Sequence, residues 1–223
     1  GELISPTTLN VAGSWSNSDT FNGNSGTVVL NGVAQEIFGA TTFHNFTKQT
    51  ASTDTLTFPA GAKQTIAGAM TLNGAASNLL SLRSSSDGTY WEIDPQGTRT
   101  ISYIDVKDSN NTNVTAIDAT GTNSVDSLHN LNWLFDTVSW TGGGDGTTWE
   151  DGGNWSSGSE PGADQEVTID ANVTVDVNGT DTIDGLVMGN AGGSTVPVLN
   201  FDYDAITDGA LIVDDGNVTV YSG

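Results

Sequence analysis

The sequence predicts an all-β chain folded as a parallel β-helix, its coils winding right-handed, and three observations carry that expectation. Gly, Ser, Thr and Asn supply 100 of the 223 residues, which suits strands and tight turns and is poor for helices. No stretch of ten residues carries a helical apolar stripe. Short blocks of sequence also echo one another along the chain. The same short strands and turns would support a pair of antiparallel β-sandwiches, and the echoed blocks favour coils over that alternative.

The first echo sets "TVVLNGVAQEIFGATTF" (27–43) against "TLTFPAGAKQTIAGAMTL" (55–72). Their cores align without a gap, matching Ile37 to Ile66, Gly39 to Gly68 and Phe43 to Leu72. A weaker echo lies at "VNGTDTIDGLVM" (177–188). Val167, Ile169, Val173, Val175 and Val177 alternate with polar residues, the period of a strand with one buried side. A unit of about 20–30 residues with a few short strands cannot bury its apolar side alone, and stacked units can.

The expected organisation is a β-helix module over 1–135, a Gly/Trp-rich seam over 136–162 and the start of a second β-helix module over 163–223. Trp140, Trp149 and Trp155 are expected to pack at that seam. Read end to start, "GNVTVYSG" and "GELISPTTLNVAGSW" look like successive coils. Leu3, Leu9 and Val11 at one end, and Val213, Val218 and Val220 at the other, are therefore the candidate assembly edges, where unpaired strand borders template further pairing.

Charge narrows the partners. Lys48, Lys63, Arg83, Arg99 and Lys107 are the only basic residues, and the net charge is −22. Such a field repels nucleic acid and anionic membrane, and no apolar run approaches the roughly 20 residues of a bilayer span. There is no cysteine and so no disulfide framework. The partners expected are further copies of the chain, end to end, and glycans.

The stretches "GTYWEIDPQGTRTISYIDVKDSNNTNVTAIDATGTNSVDSLHNLNWLF" (88–135) and "WTGGGDGTTWEDGGNWSSGSEPGADQEVTID" (140–170) resemble the closing and opening portions of repeats in large bacterial adhesin-like or haemagglutinin-like surface proteins. The resemblance implies an extracellular or cell-surface structural protein built from parallel β-coils. The implied role is a module of a fibre, sheath or adhesin stalk, the alternative being a glycan- or calcium-binding adhesin segment.

No catalytic group is assigned and no enzyme is expected. His44 and His129 stand apart from any recognisable nucleophile or carboxylate pair, and Asp214 and Asp215, adjacent on a strand, would point to opposite sides. The Gly-His-Gly and Arg-x-Lys elements of polysaccharide-cleaving β-helices are absent. No cofactor is required. Calcium is the candidate ion, with Asp145, Glu150, Asp151 and Asn154 as ligands, since they offer clustered oxygens on a loop. Sequons at Asn45, Asn110, Asn113, Asn154, Asn172, Asn178 and Asn217 are candidate glycosylation sites.

Overall fold

The computed structural model describes residues 1–17, 19–127, 129–162, 165–183, 185–190, 194–201, 210–213 and 218–220. They form an all-β structure of parallel strands stacked in sheets, in two compact units, Gly1–Phe135 and Asp136–Gly223. Among the described residues every registered strand pair is parallel. Antiparallel sandwiches are therefore not the fold. No helix of the described residues is long and apolar enough to cross a membrane.

In the first unit the chain visits three sheets in rotation, so that strands pair with the strand three later. Sheet one runs Thr41–Phe43, Lys63–Ile66, Trp91–Pro95, Ser109–Asn111 and Asn130–Leu131, with Glu2–Ile4 and Thr20–Asn22 forming a separate pair at the start of the chain. Sheet two runs Thr8–Val11, Thr27–Leu30, Asn45–Gln49, Met70–Asn73 and Arg99–Ser102. Sheet three runs Trp15–Ser16, Gln35–Phe38, Asp54–Phe58, Leu80–Ser84, Ile104–Val106 and Val125–Asp126. Alternate residues point inward and stack on their counterparts one circuit away. Sheet two gives the inward rows Leu9–Val28–Phe46–Met70–Arg99 and Val11–Leu30–Lys48–Leu72–Ile101. Sheet three gives Gln35–Leu56–Leu82–Val106.

Corners are tight. Tyr103, at φ 51°, is the single residue between the strands Arg99–Ser102 and Ile104–Val106, and Asn132, at φ 61°, does the same between Asn130–Leu131 and Trp133–Leu134. Asn takes this left-handed conformation readily, whereas an aromatic side chain does so against its preference. His44 likewise stands alone between Thr41–Phe43 and Asn45–Gln49, and further corners are longer, so one circuit takes from 16 residues (Ile117 to Trp133) to 29 (Lys63 to Glu92).

That variation corrects the alignment of the repeated blocks. Ile37 belongs to sheet three and Ile66 to sheet one, where Ile66 stacks on Phe43. What recurs in sequence is a strand–Gly–strand corner, occupied at two different corners of the structure.

The second unit repeats the rotation. Val138–Ser139, Glu166–Ile169, Gly185–Met188 and Val218–Val220 form one sheet, Thr174–Val177 pairs with Val198–Phe201, and Thr180–Ile183 pairs with Ala210–Val213. Its core gathers Val138, Trp149, Trp155, Val167, Ile169, Val175, Val177, Ile183, Leu186 and Met188.

Candidate functional site

Two polar clusters stand out against these apolar rows, one in each unit. In the second unit, Thr147–Trp149 lies alongside Thr174–Val177: Trp149 N–H donates to the Asp176 carbonyl at 2.9 Å and Asp176 N–H to the Thr147 carbonyl at 2.8 Å. Part of the Gly/Trp-rich stretch thus pairs with a strand of this unit. Trp149 and Trp155 are buried in its core with ring centroids 4.6 Å apart, and partly buried Trp140 meets Trp155 edge-on at 4.9 Å. The three rings expected at a seam are packed within the second unit itself, and the two buried ones present no face for a sugar to stack on.

Asn154, fully buried, is the hub of the loop above them. Its Oδ1 accepts from Gly144 N–H (3.0 Å) and Gly146 N–H (2.9 Å), and its Nδ2 donates to Asp145 Oδ1 (2.7 Å) and the Thr148 carbonyl (2.8 Å). The amide therefore makes four bonds, the capacity of the group. Asp145 also accepts from Thr147 N–H, Thr148 N–H and the Thr148 hydroxyl. The Thr148 hydroxyl bond and those N–H groups hold its carboxyl far below the usual carboxylate range. Asp151 caps a single helical turn by accepting Gly153 N–H at 2.9 Å, and its other oxygen accepts Asp145 N–H at 2.8 Å. Glu150 reaches elsewhere, accepting Asn178 N–H and Gly179 N–H, each at 2.7 Å.

The four residues expected to ligate calcium are thus turned toward N–H donors, an arrangement that stabilises carboxylates without a cation. Among the described residues no group of three or more His, Asp or Glu is placed to hold a metal. Asn154 is equally unsuited to glycosylation in the folded chain, because both its amide hydrogens are engaged in the interior.

Behind Glu150 sits a crowded carboxyl. Burial pushes Asp181 up to about 7, helped by the neighbouring carboxyls of Glu160 and Glu150. Its Oδ2 is buried without a hydrogen-bond partner.

The cluster in the first unit was not among the sequence's candidates. Lys48 Nζ, fully buried, donates to the Gly32 carbonyl (2.6 Å) and Gln35 Oε1 (3.0 Å) and pairs with Asp54 Oδ2 (2.6 Å). Gly32 N–H donates to the same Gln35 oxygen at 2.8 Å, and Gln35 Nε2 donates to the carbonyls of Val11 (2.9 Å) and Gly13 (2.5 Å). Asp54 Oδ1 accepts Ala34 N–H and Thr55 N–H. Burial alone would raise Asp54; the Lys48 hydrogen bond and these two N–H groups outweigh it and hold the carboxyl below its ordinary value. The signal was parity: Lys48 lies two residues from inward Phe46 on one strand.

The remaining candidates are scattered. Leu3, Val218 and Val220 are exposed on terminal strands, while Leu9, Val11 and Val213 pack partly buried against the cores. Asn172 and Asn178 are exposed, Asn110 is half-buried, and Asn217 lies outside the described residues, as do Asp214 and Asp215. Asn45 accepts Ala69 N–H across circuits and Asn113 donates to Asp94. His129 pairs with buried Asp108 at 2.8 Å and stacks on Tyr90. No protein-family model, curated protein or solved structure matches the chain, so the likeness to adhesin-like surface proteins rests on the quoted motifs alone.

Proposed function

We propose that the chain is a structural module of an extracellular fibre, sheath or adhesin stalk, folded as a right-handed parallel β-helix. The observation that carries this reading is the rotation of strands through three sheets of the first unit, every registered pair being parallel. It places a main-chain hydrogen-bond ladder and stacked apolar rows along one direction, the arrangement that resists extension. Right-handedness follows the rule for parallel crossover connections.

The outermost described strands supply the second part of the proposal. Thr8–Val11 and Trp15–Ser16 are end strands of two sheets of the first unit, and Val198–Phe201, Ala210–Val213 and Val218–Val220 are end strands of the sheets of the second unit. Strand borders of this kind accept further parallel strands, from another copy of the chain or from an adjoining repeat. Negative-stain micrographs of the purified chain test the reading. End-to-end assemblies that lengthen with concentration and salt are expected; compact single particles under all conditions would overturn it.

A further inference from the structure

We propose that Lys48 and Gln35 become joined by an amide bond, formed by the folded chain itself with Asp54 as the proton carrier. Lys48 occupies a position in the row Val11–Leu30–Lys48–Leu72–Ile101, and Gln35 one in the row Gln35–Leu56–Leu82–Val106. Two otherwise apolar rows are thus interrupted at one point, where an amine, a primary amide and a carboxylate meet out of water. A buried ion pair is poor evidence of stabilisation, since apolar residues of similar size serve as well or better. The cluster does supply every group that an amide exchange needs.

The amine of Lys48 contacts both the Gln35 carbonyl oxygen and the Asp54 carboxylate. That carbonyl also accepts the Gly32 N–H, which polarises it and stabilises the negative charge that develops when its carbon is attacked. A proton passes from Nζ to Asp54, and the freed lone pair attacks Gln35 Cδ. Asp54 returns the proton to Nε2, the Cδ–Nε2 bond breaks, and the departing ammonia carries off the second amine proton as ammonium. One ammonium-bearing side chain and one primary amide become one secondary amide and ammonium, with Asp54 again a carboxylate. Packing holds the partners in place, so the step is intramolecular and gains the corresponding rate advantage. Asp54 as acceptor would release water instead and would need a second acid, which the hydrogen bonds of this cluster do not include.

The product ties sheet two to sheet three through a closed loop, a constraint on the unfolded chain like that of a disulfide, in a protein without cysteine.

Intact mass of the purified full chain, followed by digestion, tests the proposal. The mass expected is that of the sequence less one ammonia. Trypsin should fail to cut after Lys48, and fragments on either side of Glu36 should stay joined after a Glu-specific protease. Lys48→Arg should have its full sequence mass; ammonia loss persisting there would reflect asparagine cyclisation and overturn the proposal. Asp54→Asn should also show the full mass, and cross-linking in that variant would remove Asp54 from its role. A wild-type chain at full sequence mass, or one lighter by a water with Lys48 joined to Asp54, contradicts the proposal whether or not the variants fold.

Discussion

Phe58 and Trp91 stack face to face inside the first unit, ring centroids 3.9 Å apart and planes within 7°. Phe58 ends a strand of sheet three and Trp91 begins a strand of sheet one, so the pair binds two sheets together through the interior. The Trp91 indole N–H is satisfied by the Lys107 carbonyl at 2.9 Å. Trp91→Ala should lower the unfolding free energy of the first unit by about 3–5 kcal/mol, read as a fall in the urea midpoint. In a double-mutant cycle with Phe58→Ala, the coupling expected is about 0.5–1.5 kcal/mol; additive single effects would deny the stack any special part.

Asn154 is predicted to govern the second unit. Asn154→Ala strands the Gly144 and Gly146 N–H groups and removes a donor from Asp145. Each buried polar group left alone costs about 1–3 kcal/mol. The fluorescence of neighbouring Trp149 and Trp155 should therefore report unfolding at lower denaturant in this variant, with Asn154→Asp no better, because a carboxylate cannot donate to Asp145.

Acidity should strengthen the second unit. Asp181 binds its proton more tightly folded than unfolded, with a folded pKa of about 7 against 3.8. Between those values the folded chain holds the extra proton, so stability declines as pH rises from about 4 to about 7 and levels off above. Asp181→Asn should remove that slope, measured as the melting temperature of the second unit across the range. A melting temperature that climbs over this interval in the wild type, and not in the variant, would contradict the assignment.

Calcium should leave the chain unmoved. Asp145, Asp151 and Asn154 already direct their oxygens at backbone and side-chain N–H groups. Melting temperatures with added calcium and with chelator are expected to coincide. A rise of several degrees with calcium would show that the loop opens to bind it.

Strand alternation made much of this fold legible: Val167, Ile169, Val175 and Val177 are all buried, as their spacing required. The circuit was harder to read. Corners range from one residue at Tyr103 to long loops, so no fixed period survives, and a repeated corner motif paired Ile37 with Ile66 across different sheets. Around Asn154, sequence singles out Asp145, Glu150, Asp151 and Asn154 for their oxygens, and in the structure those oxygens accept N–H groups; Asp and Asn oxygens that could ligate a cation serve equally as such acceptors. Only the backbone path decides which. Lys48 was visible by parity, yet a lysine suggests a surface until its carboxylate and amide partners, distant in sequence, are brought to it.

Assembly through the end strands, as proposed above, depends on their outward N–H groups. Thr27 N–H donates to the Thr7 carbonyl and Asn31 N–H to the Val11 carbonyl, so alternation along the parallel strand turns the Asn10 N–H to the outer border. Proline there removes an edge donor and leaves the inner ladder intact. Sedimentation velocity of the wild type and Asn10→Pro over a range of concentration and salt is the most direct measurement. Wild-type species should grow with concentration while the Asn10→Pro chain stays held to much smaller species; identical, concentration-independent sedimentation of the two would contradict assembly through this border.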